Sequence, residues 1–370
     1  MQDPTADLVP VAFDALAGWA EADTATTFAA FRRAAPHHVA TPPKTRALGI
    51  DGHALARAHA TALALPERLD AAAARRFFET HFTAHRVRPR EGAPFLTGYF
   101  EPELEGTRRS GDPRFRVPLL ARPDDLVDVD AATRPPGWDP AYAFARRTED
   151  GLEPYADRAA IETGALAGRG LELVFVADPV EAFFVHVQGS ARIRLAEGGT
   201  MRLAYAAKAG HPYTSIGRLA IERGLIAAEA MTLDVLRTWL KAHPAEARDL
   251  MRANRSYVFF VEQADLDPGL GAVAAAGVPR TPGGSLAVDR TLHTFGTPIF
   301  LDADLPLGAD GATVPFRRLM LAEDTGSAIV GPARGDVFLG CGIEAGRRAG
   351  RIRHAARDFV VLAPDGEGAR

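Results

Sequence analysis

Helices gathered at the front of the chain and short β segments through the rest predict a mainly β protein whose β body carries a smaller inserted β domain. Three observations lead there. Apolar residues recur at three- and four-residue spacing over roughly the first hundred positions. At Phe95 the texture becomes aromatic and strand-like. β segments then return from Ser285 onward, so the middle of the chain reads as an insertion between two parts of one body.

In order, Phe13, Leu16, Trp19, Ala20, Phe28 and Phe31, then Leu69, Ala73, Phe77, Phe78, His81 and Phe82, carry the helical period, and Pro36, Pro42, Pro43 and Pro66 punctuate it. Phe95-Leu96-Thr97-Gly98-Tyr99-Phe100-Glu101-Pro102 reads as a strand ended by proline, which puts a domain boundary near Pro102. Strands follow at 115–120 and 171–176. A further strand over 184–195 is expected because Val185, Val187, Ala191, Ile193 and Leu195 alternate with His186, Gln188, Arg192 and Arg194, with Gly189 as a bulge. Helices are expected at 215–222 and 232–242, and strands at 257–261 and from 285. The inserted domain is set at 103–230, leaving 1–102 plus 231–370 as the helical N-terminus and β body.

The 370 residues can bury a large core, and 47% apolar with 24% charged residues is ordinary for a globular protein. A net charge of −4 offers no global attraction to nucleic acid or anionic lipid. The single cysteine, Cys341, excludes an intrachain disulfide and a cysteine-based zinc site, and reads as a small buried residue between two glycines. None of the eleven histidines forms an H-x-x-x-H pair on a helix, so no metal or other cofactor is expected. No apolar run reaches the roughly 18 residues of a membrane span. Met1-Gln2-Asp3-Pro4-Thr5 lacks the basic n-region and apolar core of a secretory signal, which leaves a protein that stays inside and one whose leader has been removed as two readings.

Chemistry concentrates near the C-terminal end. Asp324-Thr325-Gly326 and Asp336-Val337-Phe338-Leu339-Gly340-Cys341-Gly342 place two carboxylates on a glycine-rich hairpin, each beside an apolar strand that would deprive it of water. Asp-Gly clusters also occur in turns for purely local reasons, so the flanking strands carry the argument. A second concentration, Tyr205-Ala206-Ala207-Lys208-Ala209-Gly210-His211-Pro212-Tyr213-Thr214-Ser215-Ile216-Gly217, runs from a loop into a helix for which Ser215 is a good N-cap. With Gln188 it supplies the amide, aromatic and ammonium groups that hold sugars, while His186 and His211 read as structural or substrate-contacting.

These segments together resemble the lytic murein transglycosylase A family. The resemblance runs from about 95 to 362, through Thr97-Gly98-Tyr99-Phe100, Val187-Gln188-Gly189-Ser190, the Tyr205 to Gly217 segment, and a tail similar to the 3D domain, whose three aspartates fall on Asp289, Asp324 and Asp336. It implies a double-psi β-barrel built from the C-terminal strands and the Thr97–Tyr99 strand, with a smaller inserted β-barrel-like domain and a glycan groove between them. It further implies that Asp336 is the single catalytic acid, supported by Asp324 and Asp289, with Thr97, Tyr99, Gln188, Tyr205 and Lys208 toward substrate. The implied partner is peptidoglycan, not nucleic acid. The implied location is the periplasm, with outer-membrane anchoring and contacts to cell-wall synthesis proteins left open.

The implied reaction is non-hydrolytic. One carboxyl protonates the oxygen between N-acetylmuramic acid and N-acetylglucosamine, then takes the proton of the sugar's own 6-hydroxyl, so a single side chain serves as acid and base where most glycosidases need two. That requires Asp336 to hold its proton near neutrality, through burial by Val337 and Phe338 and repulsion from Asp324, with Arg334 turned to solvent or substrate. A non-catalytic wall-binding module and, through Asp324-Thr325-Gly326, an aspartic protease are the alternatives. The protease reading lacks a second D-[ST]-G, and Glu323 stands where an apolar residue would precede its aspartate.

Overall fold

The computed structural model describes residues 5–140, 142–264 and 266–365. The Met1 to Pro4 stretch, weighed above for a leader, lies outside them. The chain divides into two compact units, 1–100 with 266–370, and 101–265. The first boundary is close to the one expected at Pro102. The second differs from 230: the helices Leu233–Ala242 and Pro244–Ala253 share an apolar cluster with Phe183, Phe184 and Ile216 of the 101–265 unit.

In the first unit, six strands close on themselves. Arg353–Pro364 pairs with Pro298–Leu305, which pairs with Val314–Asp324; Ser285–Val288 lies next, then Arg334–Cys341, then Phe95–Glu101, which pairs back onto Arg353–Pro364. The Ser285–Val288 strand is parallel to Val314–Asp324 and antiparallel to Arg334–Cys341. The closed barrel therefore has no free hydrogen-bonding edge along that circuit. Two strands that periodicity did not reveal, Ala6–Val11 and Phe82–Pro89, extend the sheet outward from Arg353–Pro364.

Three helices, Thr24–Ala40, Gly52–Leu63 and Ala71–His81, start on aspartate N-caps: Asp23, Asp51 and Asp70 accept from the amides of Thr26, Ala54 and Ala73. They bury Phe28, Phe31, Leu55 and Phe78 against the barrel core, each aromatic or leucine side chain stabilising by about 1.5–3 kcal/mol. Pro36, expected to end a helix, lies inside one. Packing on both sides holds the turn despite the lost amide: Ala34 sits against Ala276 and Val278, and the His38 ring lies 4.7 Å from His59.

The 101–265 unit is built on six strands, ordered Val258–Gln263, Thr200–Lys208, Ser190–Leu195, Glu103–Thr107, Glu172–Val176 and Val117–Leu120, and a bridge between Ala121 and Phe260 joins its two edges into a barrel-like form. The strand expected over 184–195 is instead the helix Pro179–Gln188 followed by the strand Ser190–Leu195. Asp178 caps the helix by accepting from Val180 at 2.8 Å, Pro179 opens it, and Gly189 ends it at φ 75°. Burial runs unbroken from Ala182 to His186, so the Val-His-Val-Gln alternation was an accident of composition. Ser215 does cap its helix, accepting from Arg218 at 3.3 Å.

Candidate active site

Strand alternation places the site. Leu96, Leu286, Val288 and Val337 face the barrel core, whereas Tyr99, Ala287, Ile329 and Phe338 form a separate cluster on the other face, and the acidic residues belong to that face. Asp324 and Asp336 are not joined in a hairpin as expected. The Ser285–Val288 strand lies between their strands, with Ala287 the register partner of both. The small side chain at 287 leaves room beside the two carboxyls.

Thr97 Oγ1 donates to Asp336 Oδ1 at 2.5 Å, and Tyr99 Oη donates to Asp324 Oδ2 at 2.9 Å. The intervening Gly98 has a packing reason: a Cβ there would fall 2.8 Å from the Ala349 backbone of the helix Gly342–Gly350. Gly346 of that helix likewise makes room for the Phe100 ring. The two glycines let helix and strand approach at backbone distance, which fixes the direction in which Thr97 and Tyr99 point.

The aspartates differ in how much of their capacity is used. Asp324 accepts from Tyr99, from the amides of Thr325 (2.9 Å) and Ala275 (3.3 Å), and from Arg280 Nη1 (3.4 Å). Asp289 accepts from the Thr291 amide and hydroxyl and, at 2.9 Å, from the Gly331 amide, so it staples the 331 loop. Asp336 accepts from Thr97 alone among the described residues and is half-buried. Burial raises the Asp336 carboxyl to about 6, against the hydrogen bond from Thr97 and the charge of Arg334, with the charge of Asp324 adding to the rise. A carboxyl with one oxygen free of protein donors and a pKa near 6 can both give and take a proton.

Arg334, expected to turn to solvent or substrate, is engaged beside Asp336. Its Nη2 donates to Thr97 Oγ1 at 2.7 Å, its Nη1 donates to the Gly335 carbonyl, and the guanidinium lies 5.6 Å from the Phe95 ring centroid. An arginine here stabilises the ionised form of Asp336. Sequence reasoning also missed Arg280. It is 3% exposed, its Nε donates to the Ala272 carbonyl, and its guanidinium lies 4.9 Å from the Phe338 ring and 5.7 Å from Tyr99. Glu323, read earlier only as evidence against a protease, is a buried carboxyl raised to about 8 by burial and hydrogen-bonded by Ser285 Oγ. No periodic signal marks either residue.

Gln188, Tyr205 and Lys208 belong to the 101–265 unit: Gln188 ends a helix, Tyr205 is 46% exposed, and burial lowers the Lys208 ammonium. His211 is structural, bonded to the Tyr155 carbonyl at 2.7 Å and the Tyr142 hydroxyl at 3.1 Å.

Two family models match: the MltA specific insert domain over residues 95–261, and the 3D domain over 284–362. A membrane-bound lytic murein transglycosylase from Agrobacterium tumefaciens is 42% identical with a TM-score of 0.88, over 97% of this chain and 98% of that one. The chain belongs to the membrane-bound lytic murein transglycosylase A family. In sequence, the Vibrio cholerae member is 33% identical over 272 residues, 72% of this chain and 65% of that protein, so the chain spans just under two thirds of that relative's length. The Escherichia coli MltA structure with bound chitohexaose is 26% identical with a TM-score of 0.67, over 99% of this chain and 94% of that one. Family members are thus named as membrane-bound, whereas among the described residues here no helix is long and apolar enough to cross a membrane.

Proposed function

We propose that the chain cleaves peptidoglycan glycan strands without water, with Asp336 as the one acid and base. The observation that carries this is the contrast between Asp336, raised to about 6 with an oxygen free of protein donors, and Asp324, which four donors engage. Protonated Asp336 gives its proton to the oxygen between N-acetylmuramic acid and N-acetylglucosamine, and the bond from that oxygen to the anomeric carbon breaks as positive charge develops there. The 6-hydroxyl oxygen of the same muramic acid attacks that carbon, and its proton passes to Asp336. The products are a free N-acetylglucosamine 4-hydroxyl and a 1,6-anhydromuramoyl end, and the acid is restored. Thr97 and Arg334 stabilise the carboxylate between these two transfers.

Asp324 and Asp289 support the site through structure. Gln188, Tyr205 and Lys208 are proposed as glycan contacts on the strength of their chemistry, and the relative's bound chitohexaose, a chitin hexamer by its name, supports a glycan ligand. The family name supports an exported enzyme facing the murein layer. Incubation with purified sacculi, followed by mass spectrometry for anhydro ends, tests the reading. Asp336→Asn should abolish them while the fold persists; a tenth of the activity remaining would place the acid elsewhere, and sacculi bound but uncut by the unaltered chain would leave a wall-binding module.

A further inference from the structure

The 101–265 unit holds a cavity of about 890 Å³, within the roughly 300–1,000 Å³ typical of small-molecule sites. None of the family's three aspartates lines it. Leu120, Ile161, Val180, Phe183, Leu240 and Met251 give it apolar walls. Three residues more than nine-tenths buried, Arg158, His186 and Tyr257, give it a polar patch.

Arg158 is fixed from behind. Its Nε donates to the Asn254 carbonyl at 2.9 Å, its Nη2 to the Ser256 carbonyl at 2.6 Å, and the guanidinium lies 4.8 Å from the Phe183 ring and 5.3 Å from the Tyr257 ring. Its Nη1 lies 3.5 Å from Glu162, a carboxylate shared with Arg252 at 2.9 Å. The Val258 amide donates to His186 Nδ1 at 3.1 Å, so the hydrogen of the neutral ring sits on Nε2; burial and the Arg158 charge keep that ring neutral. Neither His186 Nε2 nor the Tyr257 hydroxyl has a protein partner among the described residues, and neither is sealed from open space. Two unused donors and a guanidinium beside apolar walls fit an anionic acceptor on an aliphatic body. Charge agrees, since five arginine and lysine side chains in the lining outnumber three carboxylates.

We propose that this cavity binds a fatty acid, its carboxylate held by His186, Tyr257 and Arg158 and its chain lying along Val180, Leu240 and Met251. The site goes beyond wall cleavage and does not depend on it. The test is calorimetric titration of the full chain with dodecanoate and with dodecanol, each below its aggregation limit. Dodecanoate should bind one to one and dodecanol at least tenfold more weakly. Tyr257→Phe, which removes a single oxygen, should weaken dodecanoate about five- to tenfold. Ala247→Phe, which fills the wall, should abolish binding, and Asp336→Asn should leave it unchanged. The proposal is overturned if dodecanoate shows no saturable binding, if dodecanol binds equally well, or if Tyr257→Phe binds as the unaltered chain does. That last comparison decides the matter should Ala247→Phe not fold.

Discussion

Asp324 and Asp336 stand on either side of one residue, Ala287, which pairs with the first across a parallel ladder and with the second across an antiparallel one. At two strand spacings their backbones are about 10 Å apart, a separation across which charge is felt but which does not by itself bring two carboxyls together to share a proton. The order of causes at Asp336 agrees: burial raises the carboxyl first, and the neighbouring charge adds least. The arrangement is one carboxyl raised mainly by burial beside a second that is held by hydrogen bonds, unlike a shared-proton dyad.

The reaction should slow as pH rises through about 6, because Asp336 must begin protonated and its carboxyl is raised to about that value. Release of anhydromuropeptides followed from pH 4 to 9 gives the curve directly. A rate still level at pH 8 would contradict the assignment.

Arg334→Met should move that limb to higher pH. The substitution removes the charge that opposes protonation of Asp336 and the donor to Thr97, yet keeps an aliphatic stem against Phe95. The two pH profiles, compared on the same sacculi, decide it; a shift toward acid is the adverse result.

Tyr99→Phe withdraws a buried donor from Asp324. Urea unfolding should show a loss of about 1–2 kcal/mol, and the catalytic rate should fall more than apparent substrate affinity does. An unchanged stability would mean that Arg280 and the two amides suffice to hold Asp324.

Glu323→Gln should flatten the pH dependence of stability. Burial raises the folded carboxyl to about 8, against an ordinary value of 4.5. The folded state therefore holds the proton more tightly than the unfolded chain, and the contribution, complete below about 4.5, is lost as pH climbs toward 8. By pH 8 the glutamine variant should have gained on the unaltered chain by on the order of 3–5 kcal/mol relative to pH 4, measured by denaturant titration at both values.

Asp289→Ala leaves the Gly331 amide and the Thr291 donors without their acceptor. It should cost about 2 kcal/mol. Activity per folded molecule should drop far less than in Asp336→Asn, as a sacculus assay corrected for the folded fraction would show.

Local signals in the sequence were enough for some of this site. Thr97 and Tyr99 alternate on one strand around a glycine, and Asp336 stands beside Val337 and Phe338 in a strand whose burial follows from those neighbours. The hairpin reading of Asp324 and Asp336 failed because the strand inserted between them comes from residues 285–288, and proximity in sequence carried no trace of it. Arg280 meets Asp324 across 44 residues and has no periodicity to betray it. At 184–188 a two-residue alternation outweighed the capping signs at Asp178, Pro179 and Gly189, and those signs won because they satisfy the end amides and carbonyls of a helix. The helix Pro244–Ala253 was not anticipated: it opens on Pro244, where the missing amide costs no hydrogen bond, directly after the helix expected at 232–242.

The hydrogen bond between Thr97 and Asp336 joins residues 239 positions apart. A ribosome that has released the Thr97 strand must still make all of the 101–265 unit and most of the barrel before the partner carboxyl exists. Barrel closure is consequently among the most non-local events in this chain, and such closures are slow. Timing follows from topology: a chain stopped short of residue 336 lacks this carboxyl, and the bond that orients it can form only after both distant strands have been made.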